Sequence, residues 1–179
     1  IDFSVENRAR PEWLAMNPVG KVPVMDDGDM RMFESGAMMQ YVLDRYGKGR
    51  LQPAKDDRAY GLYLQWTWFA EATFSRPLGE MTNHRREFKP ELPDCIAEMK
   101  NRATKCVHAI NAALEGQPYL LGDTMSAADL SIAYVLRGYQ RSVTEDLPAN
   151  VRRFFDHMAT FPSYDRTVKA DADTAEKLK

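Results

Sequence analysis

Two short stretches carry residue types whose spacing suits the capture of a small zwitterionic peptide. In Lys21-Val22-Pro23-Val24-Met25, a proline opens an extended apolar run, a position where proline marks an edge residue or a cis peptide. A cis bond at Val22-Pro23 is expected to turn the Val22 N–H and C=O out of any strand ladder, free to pair with a peptide-like ligand. Further along, Glu34-Ser35 precedes Gly36-Ala37-Met38-Met39-Gln40-Tyr41. Ser35 is the expected N-cap of a helix, which puts Met38 at N3, so no acidic side chain closes a capping box. The first-turn N–H groups and the positive end of the helix dipole can then accept an outside carboxylate. Glu34 beside them offers a partner for an ammonium group, and the pair suits an α-amino acid end.

The elements needed to bring these stretches together are legible nearby. Val22 to Met25 and Met30 to Phe33 read as strands joined by the turn residues Asp26-Asp27-Gly28-Asp29, with Gly28 able to take positive φ. The helix from Ser35 to Tyr46 presents Met38, Met39, Val42, Leu43 and Tyr46 as its apolar stripe, and Gly47 stops it. Upstream, Ile1-Asp2-Phe3-Ser4-Val5 alternates like a strand, and Pro11 to Met16 reads as a helical turn with Trp13, Leu14 and Met16 as core candidates.

The run N-P-x-G-K-V-P-V, a D-G turn, then E-S before a helix resembles the glutathione-site half of the glutathione S-transferase family. The resemblance implies that Val22, ahead of Pro23, pairs in β fashion with the cysteinyl backbone of glutathione. It also implies that Glu34 and Ser35 hold the γ-glutamyl end and that Lys21 reaches toward the tripeptide. In that family a first strand and helix precede the Ile1 strand, and the first strand lies between the Ile1 and Val22 strands. The chain is therefore expected to be N-terminally incomplete, because unpaired inner strand edges are costly.

Gly49 to Lys55 reads as a polar linker, and everything beyond it carries helical pattern. Asp57 to Ser75 is apolar on more than one face, with Tyr60, Tyr63, Trp66, Trp68, Phe69 and Phe74, and Pro77 is expected to bend or end it. Trp66, Phe69 and Thr73 share a face and are candidates for an electrophile pocket, since the resemblance places that pocket along this helix; plain core packing accounts for many of the same aromatics. His84-Arg85-Arg86-Glu87-Phe88-Lys89 reads as a solvated basic loop. Asp94 to Leu114 is a strong helical stripe closed by Gly116. Pro118-Tyr119-Leu120-Leu121-Gly122 through Ser126-Ala127-Ala128-Asp129 sets up a capping box, Ser126 at N-cap with Asp129 at N3, stapled by Met125 and Leu130. The P-Y-L-x-G-x-x-x-S-x-A-D form resembles the helical domain of the same family, where it serves folding, so Ser126 and Asp129 are read as structural. Helices over Ala127 to Gln140 and Pro148 to Thr160 follow. Phe161 to Tyr164 reads as a stop, and Asp165 to Lys179 as a polar tail.

Composition excludes other classes. The 179 residues carry a formal net charge of -2 with signs interspersed, so no nucleic-acid partner is implied. No apolar run reaches the ~18 residues that would span a bilayer, and no leader pattern opens the chain. Cys95 and Cys106 lie in one helical pattern, separated by about 16 Å of rise, too far for a disulfide; reduced thiols point to the cytoplasm. His84, His108 and His157 lack metal-ligand spacing, so no metal is expected.

The fold expected is α+β in two domains. Residues 1–48 form a partial thioredoxin-like domain lacking its first strand and helix, and residues 54–179 form an all-α C-terminal domain. The resemblance implies a glutathione transferase of detoxifying type, a homodimer joining the glutathione thiolate to a small hydrophobic electrophile. The thiol-activating Tyr, Ser or Cys of that family belongs to elements ahead of Ile1, so no catalytic residue is assigned. Two alternatives stand beside this reading. One is a non-catalytic interaction module on the same fold; the other is a glutathione-dependent disulfide reductase, which would need a cysteine upstream.

Overall fold

The computed structural model describes residues 4–143 and 145–177, apart from the side chains of residues 5 and 175. Two compact units divide the chain, residues 1–48 with 162–179, and residues 49–161.

In the first unit, α1 (Val5–Arg8) and α2 (Pro11–Met16) precede a hairpin of β1 (Val24–Asp27) and β2 (Met30–Phe33), followed by α3 (Ser35–Tyr46). The expected strand over Ile1 to Val5 is corrected in part. Residues 1–3 lie outside the described residues, Ser4 is irregular, and Val5 begins a helix whose first turn is tied by Arg8 N–H to Ser4 C=O at 3.1 Å. Pro11 starts α2, where its missing N–H costs nothing. Of the three core candidates there, Trp13 is buried, whereas Leu14 is exposed and Met16 half-buried.

The hairpin turn is tighter than the sequence suggested. Asp26 and Asp27 belong to β1, paired with Arg31 and Met30, and only Gly28-Asp29 forms the loop. Gly28 takes φ 64 at the first loop position, as a type II′ turn demands. Alternation along the strands puts Met25, Asp27 and Met32 on one face, all half-buried. Asp27 on that face accepts hydrogen bonds from the Tyr41 and Tyr46 hydroxyls of α3, both at 2.6 Å. That clasp ties the hairpin to the helix. The opposite face carries a two-pronged Arg31–Asp26 ion pair at 2.7 and 2.8 Å. The first unit also holds α9 (Pro162–Lys177). Here the expected stop and polar tail are replaced by a helix, because Pro162 sits at the start, where a proline initiates rather than breaks.

The second unit is helical: α4 (Ala59–Trp68), a π-helical segment (Phe69–Phe74), α5 (Ser75–Glu87), α6 (Pro93–Ala113), α7 (Ala127–Ser142) and α8 (Ala149–Ala159). Pro77 does not end the first helix. A proline has no N–H for the carbonyl four residues earlier and its ring crowds that carbonyl; here that group is the Thr73 C=O. The wider π turn ending at Phe74 makes room, and the Cys106 thiol donates weakly to the Thr73 carbonyl at 3.9 Å. The helix then runs on to Glu87, so the start of the basic stretch is its last turn rather than a loop. The stacked His84 and Phe88 rings, with centroids 5.0 Å apart, close that end.

Side chains from all these helices meet in one core, where Tyr63, Phe74, Met81, Ile110, Leu114, Ile132, Leu136, Tyr139 and Phe154 are at most 1% exposed. Cys106 is buried and Cys95 half-buried, both free, and burial pushes the Cys106 thiol pKa up. Asp129 is fully buried. Its carboxylate accepts from the Leu120 N–H, the Ser126 N–H and the Ser126 hydroxyl, each at 2.8 Å, and the reciprocal capping box forms. Leu51, in the stretch read as a linker, takes φ 61 and offers its C=O to the Ala127 N–H at 2.7 Å, satisfying a free donor of the first turn of α7.

Candidate functional site

Pairing of Val24 with Phe33 fixes which groups meet at the open end of the hairpin. Val22-Pro23 leads into β1 there and Glu34-Ser35 leads out of β2, so one end of one hairpin presents both stretches singled out in the sequence. Lys21, Val22, Pro23, Glu34 and Ser35 are all exposed. The Val22-Pro23 peptide is cis. Val22 lies outside the ladder, and neither its N–H nor its C=O has a hydrogen-bond partner among the described residues.

At the start of α3 the capping differs from expectation. Glu34, not Ser35, is the N-cap, with φ 79 and ψ 104, and Ser35 is already helical. The Glu34 C=O accepts the first helical bond from Met38 N–H at 2.9 Å. A non-glycine residue at such a φ is strained by about 1–3 kcal/mol and persists where the surroundings impose it, commonly at ligand sites. No side chain caps α3, and its first turn is the positive end of the helix dipole. Carboxylate acceptance at this helix start beside an acidic side chain is chemistry for a zwitterion.

Sequence reasoning passed over the residue that builds the approach to Val22. Asn17 is 1% exposed. Its C=O accepts from Gly20 N–H at 2.9 Å, its Oδ1 accepts from Val19 N–H at 3.2 Å, and its Nδ2 donates to the Lys21 C=O at 2.9 Å. Asn at the first place of a turn, Pro at the second and Gly at the fourth is the signature of a type I turn, and it was present in Asn17-Pro18-Val19-Gly20. Gly20 is required there: it takes φ 62, and a Cβ would stand 3.1 Å from the Arg8 carbonyl oxygen. The Asp27 clasp, in contrast, has no sequence signal, because its tyrosines lie far along the chain. Tyr41 foremost, then Tyr46 and Arg45, hold the Asp27 carboxyl below its usual range, and the Asp27 hydrogen bond pushes the Tyr41 phenol up to about 12.

In the second unit, the three pocket candidates are graded in depth. Trp66 is 8% exposed, Phe69 is half-buried with its ring edge-on to Trp66 at 5.1 Å, and Thr73 is exposed. Ser126 and Asp129 sit inside the core, in the capping role described above. No helix among the described residues is long and apolar enough to cross a membrane, and no group of three His, Cys, Asp or Glu among them could hold a metal ion.

Family models of the glutathione S-transferase N-terminal domain and C-terminal domain match residues 1–44 and 85–165. Glutathione S-transferase F9 of Arabidopsis thaliana is 28% identical over 94% of this chain and 82% of its own length. Elongation factor 1-gamma 1 of Oryza sativa subsp. japonica is 28% identical over 99% of this chain but 43% of its own. Among solved structures, glutathione transferase URE2P8 of Phanerochaete chrysosporium, crystallised with oxidized glutathione, superposes with a TM-score of 0.84 at 23% identity, covering 94% of this chain and 80% of that one. The small antiparallel sheet and the helical C-terminal domain define the glutathione S-transferase fold. The chain belongs to the glutathione S-transferase family.

Proposed function

We propose that this protein binds glutathione at the open end of the hairpin and transfers its thiolate to a small hydrophobic electrophile. The observation that carries this reading is the convergence of three complementary groups. The unpartnered Val22 backbone meets a peptide, the uncapped α3 start meets a carboxylate, and the strained Glu34 meets an ammonium. Lys21, exposed at the same end, supplies a positive charge for the far carboxylate of the tripeptide, and Pro23 shapes the approach. In the reaction a carbon–sulfur bond forms, the leaving group departs with its electron pair, and the thiol proton passes to solvent. The residues named here bind and orient the tripeptide. Trp66, Phe69 and Thr73 are proposed to line the path of the electrophile, with Thr73 nearest solvent.

A homodimer is part of the reading. Val42 and Tyr46 are 41% and 49% exposed on α3, and Leu62 and Trp68 are 51% and 66% exposed on α4. Apolar groups exposed to this degree on both helices suit isologous contacts. The two free thiols suit a cytoplasmic setting, where conjugation would serve detoxification.

Calorimetry with glutathione, paired with a conjugation assay on a chromogenic aryl chloride, tests the proposal. Binding and turnover are expected, and absence of heat at millimolar glutathione would overturn it. A second reading, a non-catalytic interaction module, is favoured by the likeness to elongation factor 1-gamma along nearly the whole chain. It predicts a folded protein without conjugating activity.

A further inference from the structure

Resting on the glutathione reading, we infer that Asn17 is a positioning residue for the tripeptide: its buried side chain aims the Val22 N–H at the ligand. The inference follows from the planarity of one peptide unit. The Lys21–Val22 bond is trans, so the Lys21 C=O and the Val22 N–H point in opposite directions. Asn17 Nδ2 pulls that C=O inward with a 2.9 Å hydrogen bond. The Val22 N–H is thereby turned outward, away from the turn, where it has no partner among the described residues.

Two further features keep the lever from rotating. Asn17 Oδ1 is occupied by the Val19 N–H at 3.2 Å, which fixes the amide plane of the side chain. Asn17's own backbone is held at both ends, its N–H by the Trp13 C=O at 2.9 Å and its C=O by the Gly20 N–H at 2.9 Å. Gly20, at φ 62, packs against the Arg8 carbonyl, whose oxygen a Cβ would approach to 3.1 Å. Three of the four polar groups of a residue 1% exposed are thus spent on one loop and the fourth on the end of α2, and the Val22 N–H at that loop's exit is left pointing outward, where a peptide ligand would use it. Glu34 and the α3 start act on the other end of the ligand and do not depend on this lever.

The test compares the wild-type protein with Asn17→Ala and Asn17→Asp, by calorimetry with glutathione and by amide shifts in ¹⁵N spectra. Aspartate keeps the acceptor for Val19 but cannot donate to the Lys21 carbonyl. Both variants are expected to bind glutathione roughly three- to thirtyfold more weakly, as for loss of one or two ligand hydrogen bonds. The glutathione-induced shift of the Val22 amide should disappear while those of Gly36 and Ala37 persist, a pattern that general destabilisation does not produce. A folded Asn17→Ala protein with wild-type affinity and an intact Val22 response would overturn the inference and leave the glutathione reading standing. If the wild type itself does not bind glutathione, the reading falls and the inference with it. Should both variants fail to fold, the wild type still decides: exchange of the Val22 amide must slow on saturation with glutathione, and an unchanged rate refutes the lever.

Discussion

Replacing Asp129 by alanine should destabilise the helical unit by about 3–5 kcal/mol, more than an ordinary helix cap accounts for. A lost N-cap interaction alone costs about 0.5–2 kcal/mol. Here the carboxylate also accepts the Leu120 N–H, nine residues back and outside the capping box, at 2.8 Å. Leu120 is 4% exposed and Ser126 3%, so alanine strands two buried N–H donors, each at about 1–3 kcal/mol. Part of that is returned, because the carboxylate no longer has to be kept from water. Urea unfolding followed by circular dichroism measures the difference, with the midpoint falling and the slope unchanged. Ser126→Ala, which removes only the hydroxyl, should fall near the lower, cap-only figure. Burial raises the Asp129 pKa above its ordinary value of 3.8. The native state therefore holds this proton more tightly than the unfolded one. The residue's contribution to stability is greatest below the unfolded pKa, declines as pH rises through the raised native value, and is flat beyond it. Asp129→Asn cannot titrate, so the stability lead of wild type over that variant should narrow as pH rises through the same window. A loss below about 1 kcal/mol for Asp129→Ala would refute the argument.

Three further outcomes follow from the first unit and the helices. Glu34→Gly should raise stability by up to about 1–3 kcal/mol by relieving the positive φ, while weakening glutathione binding roughly ten- to a hundredfold through loss of a charge-assisted bond; calorimetry and thermal unfolding on one variant read both signs. Tyr41 should titrate in the ultraviolet near pH 12, its phenolic proton being held through the range where a free tyrosine loses it, and Asp27→Ala should return it toward 10; a Tyr41 that titrates alike in both proteins would remove the clasp from the account. Sedimentation at micromolar concentration should show a dimer burying more than ~1,000 Å², which Val42→Asp or Trp68→Glu weakens; a monomeric wild type would overturn the proposed assembly.

Much of this protein is written locally. The Gly28-Asp29 turn, the α3 span from Ser35 to Tyr46, the stripe of α6 and the Ser126–Asp129 box all depend on neighbours within a few residues, and the chain folds them close to where the sequence places them. The same local grammar carried both family signatures. Other local signs in the chain have two meanings. Pro162 has the form of a stop and Pro77 that of a bend or an end, yet a proline within the first turn of a helix loses no bond, and a π turn absorbs the carbonyl that Pro77 crowds. Serine favours the N-cap place, yet the backbone of Glu34, one residue before Ser35, turns through positive φ and takes it. Tertiary structure alone decided the rest. The reach of Asp27 to Tyr41 and Tyr46, the burial of Asn17, the tie from Leu51 to α7 and the Leu120 bond to Asp129 join residues the sequence does not mark as partners. Such contacts exist only once the fold brings distant segments together; for Asn17, Leu120 and Asp129, packing also excludes water and leaves each buried polar group one remaining place to bond.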